Sequence, residues 1–220
     1  IVMNKNLFTY KKSGVNIDAA DKFIKFISNI SSKKEGNKKF RNGTTLIEVD
    51  EASRFDVVEK QSPFAIILGC SDSRVPLELI FCQGLGDLFV IRVAGNIATP
   101  SQIGSIEFAA EKFGTKLVVV LGHTSCGAVK AALEDLGQEN SIQSPNLKAI
   151  VDSIKPGIED SISDLDSYDE KIQKAVRANV QTSINNLINE SEILRQLRSE
   201  SGLKIIGADY CLESGTVEFL

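Results

Sequence analysis

Within the five residues Cys70-Ser71-Asp72-Ser73-Arg74 the chain places a thiol, a carboxylate and a guanidinium, and Gly122-His123-Thr124-Ser125-Cys126-Gly127 supplies an imidazole and a second thiol. Thiolate sulfur and imidazole nitrogen are ligands that zinc prefers. Two thiolates and one neutral imidazole would hold a divalent zinc near zero formal charge and leave a fourth position open, which is the pattern of a catalytic rather than a scaffolding metal. Water activated at such a position becomes a nucleophile near neutral or mildly alkaline pH, although two thiolates donate charge and blunt the effect. Asp72 stands where it could accept a hydrogen bond from that water, and Arg74 could pin Asp72 through a bidentate pair that keeps the carboxylate ionised and off the metal. If the pair opens, Asp72 becomes a fourth ligand, so a single residue serves either to orient or to plug.

Other uses of these residue types are weaker. A lone cysteine is most often a small core residue, which is the reading for Cys82 and Cys211. Cysteine-nucleophile phosphatases and sulfurtransferases also pair a Cys with an Arg, but three residues between Cys70 and Arg74 make too short an anion loop. Asp72 within it would repel an anion.

Each motif follows a short apolar run, Phe64–Leu68 in the first case and Leu117–Leu121 in the second. Runs rich in Val, Ile and Leu that end in Gly and a polar turn read as buried parallel strands presenting groups at their carboxyl ends. The intervening pattern adds a short helix at Leu77–Phe81, a strand at Leu88–Val93 and a helix at Gln102–Phe113. A further helix is expected from Cys126 to Leu136. Helical spacing then covers Asn146–Ile154, Ile158–Leu165, Tyr168–Leu187 and Ser191–Arg198, before strands at Leu203–Ile206 and Val217–Leu220 close the chain as an edge hairpin. The expected fold is α/β, a mainly parallel sheet flanked by helices, with C-terminal edge strands and an N-terminal helical extension. That extension, residues 1–34, carries an apolar stripe from Phe23 to Ile30; a second helix is read at Glu35–Arg41 and a third at Ile47–Lys60.

The chain has 220 residues, 42% of them hydrophobic and 25% charged, enough for one large core. A net charge of -4 argues against nucleic acid or an anionic membrane as the main partner. No apolar run approaches a membrane span and the start lacks a signal-peptide pattern, so the expected location is the cytoplasm. Four cysteines in a chain of this size fit reduced thiols better than a disulfide framework.

Taken together, the two motifs, with Gln61-Ser62-Pro63 and Phe89-Val90-Ile91-Arg92-Val93-Ala94-Gly95-Asn96, make the chain from Glu35 to its end resemble the β-class carbonic anhydrases. The resemblance implies one zinc per chain on Cys70, His123 and Cys126, a catalytic pair of Asp72 and Arg74, and attack of zinc-bound hydroxide on carbon dioxide to give bicarbonate and a proton. It implies further that Gln61 and the backbone amide of Gly127 meet bicarbonate and that Phe89 and Ala94 line the carbon dioxide slot. A homodimer or dimer-based oligomer is also implied, residues 1–34 forming its arm and 35–220 the catalytic domain. One subgroup of the family builds a regulatory bicarbonate pocket from Trp, Arg and Tyr; the matching positions here are Ile67, Arg92 and Tyr210, and the chain has no Trp. The open state, with Asp72 on Arg74, is therefore expected. Phe108 replaces a Tyr of plant-type members, and Cys82 replaces an Asp, which raises oxidation sensitivity as a question. The single histidine is committed to zinc, leaving proton export to water, carboxylate or buffer. Two rival readings remain: a hydrolase of carbon disulfide or carbonyl sulfide on the same fold, and an inactive zinc-binding structural protein.

Overall fold

A computed structural model describes residues 50–136, 142–163 and 165–220. The N-terminal expectations, the apolar stripe at 23–30, the helix at 35–41 and the arm over 1–34, lie outside these residues. Among the described residues five strands form one sheet: β1 Ala65–Gly69, β2 Leu88–Arg92, β3 Leu117–His123, β4 Lys204–Tyr210 and β5 Val217–Phe219. The order is β2-β1-β3-β4-β5, all parallel except β5, which runs antiparallel to β4 along the edge. The expected hairpin is present, but β4 is also an inner strand, paired with β3 along its length to His123↔Tyr210.

The chain leaves β1 toward β2 on one side and returns to β3 on the other, so strand order reverses between β1 and β3. Their carboxyl ends bound the crevice where open α/β sheets bind ligands. Both strands are buried throughout. Alternation sends Ala65, Ile67, Leu117, Val119 and Leu121 to one face, under the short helix α2 (Leu77–Ile80). Ile66, Leu68, Val118 and Val120 go to the other face, under α3 (Pro100–Lys112), α6 (Tyr168–Glu190) and α7 (Glu192–Ser201). Each fully buried Leu, Ile or Val contributes about 1.5–3 kcal/mol of transfer free energy, which fixes the two strands against slippage.

A third core lies beyond the strand ends, where α4 (Gly127–Leu136), α5 (Pro145–Ile158) and α6 meet through Val129, Val151, Ile154, Ile158, Ala175 and Val176. Cys70 and Cys126 sit in it.

Two helical expectations change. The spans 146–154 and 158–165 are not two helices: α5 continues through Pro156 to Ile158 and closes in a 3-10 turn, Glu159–Ser161. Pro156 is accommodated inside α5, and Gly157 after it lies against Thr182 of α6, so closely that a β carbon would overlap the threonine. Of the helix read at 47–60, the described residues form only α1 (Glu51–Phe55), whose start is fixed by Asp50 accepting from the Ser53 amide at 2.7 Å.

Candidate metal centre

Cys70 follows the last residue of β1, His123 is the last residue of β3, and Cys126 lies one turn further on, just before α4. Their Sγ and ring nitrogen atoms all fall within 4.8 Å of one another, and all three residues are buried. The Sγ atoms of Cys70 and Cys126 are 4.0 Å apart. Two thiolates on a tetrahedral zinc, with Zn–S about 2.3 Å, would be separated by roughly 3.8 Å.

The imidazole is fixed by one contact. His123 Nδ1 lies 2.9 Å from the Thr124 carbonyl, which can only accept, so Nδ1 carries the proton and Nε2 bears a free lone pair. That Nε2 is buried with no hydrogen-bond partner. Burying such an acceptor is costly unless something occupies it. A metal ion is what this donor set fits: two soft sulfurs and one correctly tautomerised imidazole, aimed at one point.

The two thiols are coupled. The hydrogen bond shared with Cys126, with the Gly95 N–H assisting, draws Cys70 down against the opposing effect of burial. That same bond, followed by burial, pushes Cys126 up. Two adjacent buried thiolates repel one another unless a cation lies between them.

Asp72 and Arg74 border this cluster. Arg74 donates from Nε to Asp72 Oδ1 at 2.9 Å and from its terminal NH2 to Oδ2 at 2.7 Å, and its backbone amide also donates to Oδ1. Arg74 thereby holds the Asp72 carboxyl far below the usual carboxylate range. The free edge of Oδ2 lies 3.9 Å from His123 Nε2. The pair is closed on itself, the arrangement expected of the open state.

Strain is concentrated in the same place. Among the described residues, three that are not glycine have positive φ, Cys82, Asn96 and Ser125, and two of them stand in the turns beside the thiols. Ser125, at φ 58, lets the chain turn between His123 and Cys126. Thr124 ties that turn to the end of β4, its amide donating to Tyr210 and its hydroxyl accepting from the Leu212 amide. Opposite it, Ala94–Asn96 forms a 3-10 turn after β2, and the Gly95 N–H donates to Cys70 Sγ at 3.4 Å.

The substrate residues expected from the resemblance divide. Ala94 is in that turn, and Gly127 opens α4 with open space on its β-carbon side, so both flank the cluster. Phe89 pairs with Ile66, four residues before Cys70, which puts it about 13 Å back along the strands. There it packs with Phe108 and Phe113, ring centroids 6.3 and 6.0 Å away. Gln61 is exposed near the amino end of β1, the end opposite Cys70. Cys82 follows α2, its thiol 3.6 Å from the Leu79 carbonyl. Ile67 and Tyr210 are buried in one core.

Arg92, by contrast, works in the site. It donates to the carbonyls of Cys70 at 2.9 Å and Asp72 at 2.6 Å, fastening the loop that carries both. Its residue type and spacing alone do not mark it for this part. The signal was a charged side chain at the end of an otherwise apolar strand neighbouring the motif strand.

The sequence model of the carbonic anhydrase family matches residues 65–217. Carbonic anhydrase 2 of Mycobacterium tuberculosis is 34% identical over 187 residues, covering 83% of this chain and 86% of its own. Among solved structures, the β-carbonic anhydrase CafA of Aspergillus fumigatus superposes with a TM-score of 0.68 at 28% identity, over 89% of this chain and 90% of its own. A β-carbonic anhydrase of Sordaria macrospora, described as tetrameric, shares the fold with a TM-score of 0.67 at 23% identity, over 90% and 97%. The family match spans residues 65–217 and the relatives share both sequence and sheet over most of the chain, so the chain belongs to the carbonic anhydrase family, as a β-class enzyme.

Proposed function

We propose that the chain catalyses the reversible hydration of carbon dioxide to bicarbonate and a proton, with one zinc held by Cys70, His123 and Cys126. The observation that carries this reading is the buried, unpartnered His123 Nε2, directed at two thiols beside an arginine-locked carboxylate. A zinc ion bound there would supply the Lewis acidity that makes a hydroxide nucleophile available from water near neutral pH.

The protein's own groups do the rest. Asp72 is kept ionised by Arg74, so it accepts a hydrogen bond and never donates one; this selects a nucleophile that carries a proton to give. The same clamp holds the carboxylate away from the position of a fourth ligand. Ala94 presents a small apolar surface to a neutral linear substrate, and the Gly127 amide, at the start of a ten-residue helix, offers a donor to the charge that develops on its oxygen. Gln61 and Phe89 lie away from the cluster within one chain, so any contact of theirs with substrate requires a second copy to bring them to it. A homodimer or dimer-based oligomer, with residues 1–34 as its arm and 35–220 as the catalytic domain, fits that requirement. No helix among the described residues is long and apolar enough to cross a membrane, and we place the enzyme in the cytoplasm.

Stopped-flow carbon dioxide hydration at alkaline pH, with metal analysis of the same preparation, tests the proposal in wild type and Asp72→Asn. One zinc per chain and fast hydration that collapses in the variant support it. Zinc without hydration would turn attention to carbon disulfide and carbonyl sulfide, and inactivity toward all three substrates to a structural role. Absence of zinc would overturn the ligand assignment.

A further inference from the structure

Helix α6 faces the core with Ala175, Val176, Val180, Ile184 and Leu187, and within that stripe it also buries Asn179 and Ser183. The two are one turn apart on a single helix face and are 1% and 2% exposed. Polar groups among aliphatic ones are costly unless they have partners. The donors find theirs in the same place: Asn179 Nδ2 donates to the Gly95 carbonyl at 2.7 Å, and Ser183 Oγ donates to the Asn96 carbonyl at 2.9 Å, while Asn179 Oδ1 is buried without a partner.

The turn so gripped is the one whose Gly95 N–H meets the Cys70 sulfur. Its backbone is unusual, with Gly95 at φ 71 and Asn96 at φ 44, both left-handed. On its upstream side the turn hangs from the sheet: the Asn96 amide donates to the Val93 carbonyl, and the Val93 amide to the Gly69 carbonyl. On its downstream side the side-chain hydrogen bonds that hold its carbonyls come from α6.

We propose that Asn179 and Ser183 are positioning residues for the metal centre. By fixing the carbonyls of Gly95 and Asn96 from below, they hold the Ala94–Gly95 peptide with its N–H on Cys70 Sγ. A hydrogen bond donated to a ligand sulfur draws charge from it, and a centre with two thiolates needs that relief to remain a useful Lewis acid. Neither residue touches substrate or metal; each acts through backbone. The inference rests on the zinc reading above and adds the groups that orient its first ligand.

The test compares Asn179→Leu, Ser183→Ala, Ser183→Thr and, as a packing control on the same helix, Ile184→Val. Zinc affinity is read by competition with a chromophoric chelator, and sulfur donation by the sulfur-to-metal charge-transfer band of the cobalt(II)-substituted protein. Asn179→Leu and Ser183→Ala are expected to weaken zinc binding by about 10–100-fold, with Ser183→Ala at the lower end, and to shift the band. Ser183→Thr keeps the hydroxyl and should keep the zinc affinity and the band of wild type, and Ile184→Val should lower the melting temperature alone. Should Asn179→Leu fail to fold, Ser183→Ala decides. Folded variants that bind zinc within about threefold of wild type, with an unshifted band, would overturn this inference alone. A wild type that holds no zinc would overturn it together with the functional reading.

Discussion

Replacing Gly95 by alanine perturbs the turn beside Cys70 in two ways whose sizes follow from the geometry. The residue sits at φ 71, where an L side chain meets the neighbouring carbonyl, and left-handed backbone costs alanine about 1–2 kcal/mol. The added β carbon would also lie 2.8 Å from Ile154 Cδ1 and 3.1 Å from Ala128 Cβ. Ile154 is fully buried and Ala128 has no rotamer to change, so the overlap must be relieved by moving packed elements, adding about 1–3 kcal/mol. The sum, about 2–5 kcal/mol, lowers Tm by roughly 5–15 °C in a chain of this size. The two parts are separable, because Ile154→Val deletes the nearer atom for about 0.5–1.5 kcal/mol of its own. The double variant should therefore be more stable than the sum of the single effects by about 1 kcal/mol. Urea and thermal unfolding of metal-free protein are the assays, since bound metal adds its own stabilisation. Gly95→Ala within about 0.5 kcal/mol of wild type, or strict additivity in the double variant, would refute the packing argument.

Arg74→Gln should reduce hydration by about 10²–10⁴-fold while leaving the melting temperature at neutral pH nearly unchanged, because the pair is largely solvent-exposed on the arginine side; a matching loss of stability would show that the pair is structural. Burial pushes the Asp209 carboxyl up, Arg177 Nε at 3.7 Å only partly opposing it. Its folded pKa thus exceeds the unfolded value of about 3.9, so its stabilising contribution is full below about pH 4 and is lost as pH rises through the folded pKa. Asp209→Asn should flatten that decline, and a stability profile parallel to wild type from about pH 4 to 7 would contradict it. With the one histidine turned to the metal position, hydration should accelerate with buffer concentration; rates flat across a buffer series would mean that an internal carrier exists.

The clustering of Cys70, His123 and Cys126 is legible because Cys70 and His123 follow uninterrupted apolar runs, and parallel strands bring such ends together. β1 and β3 matched their sequence runs to within a residue or two, because complete burial leaves little choice of period. The apolar run that marks β4 stops at Ile206, where Gly207 and Asp209 interrupt it, while the ladder to β3 continues to Tyr210. Between the spans 146–154 and 158–165, Pro156-Gly157 lies inside α5, and its glycine stands where α6 approaches too closely for a side chain. Asn179, Ser183 and Arg92 were illegible as site residues, since each acts on backbone carbonyls brought near only by the fold. Their trace was polarity where periodicity called for aliphatic residues. Phe89 shows the limit of a motif, because its neighbours in sequence, Arg92 and Ala94, reach the cluster while its own position in the register does not.

The most direct test of the central claim is a zinc titration of metal-free enzyme, with carbon dioxide hydration followed by stopped flow at each addition. The account predicts hydration that rises linearly and breaks at one zinc per chain, and no such rise when His123 is replaced by alanine. Hydration independent of zinc, or an undiminished rise in His123→Ala, would contradict it.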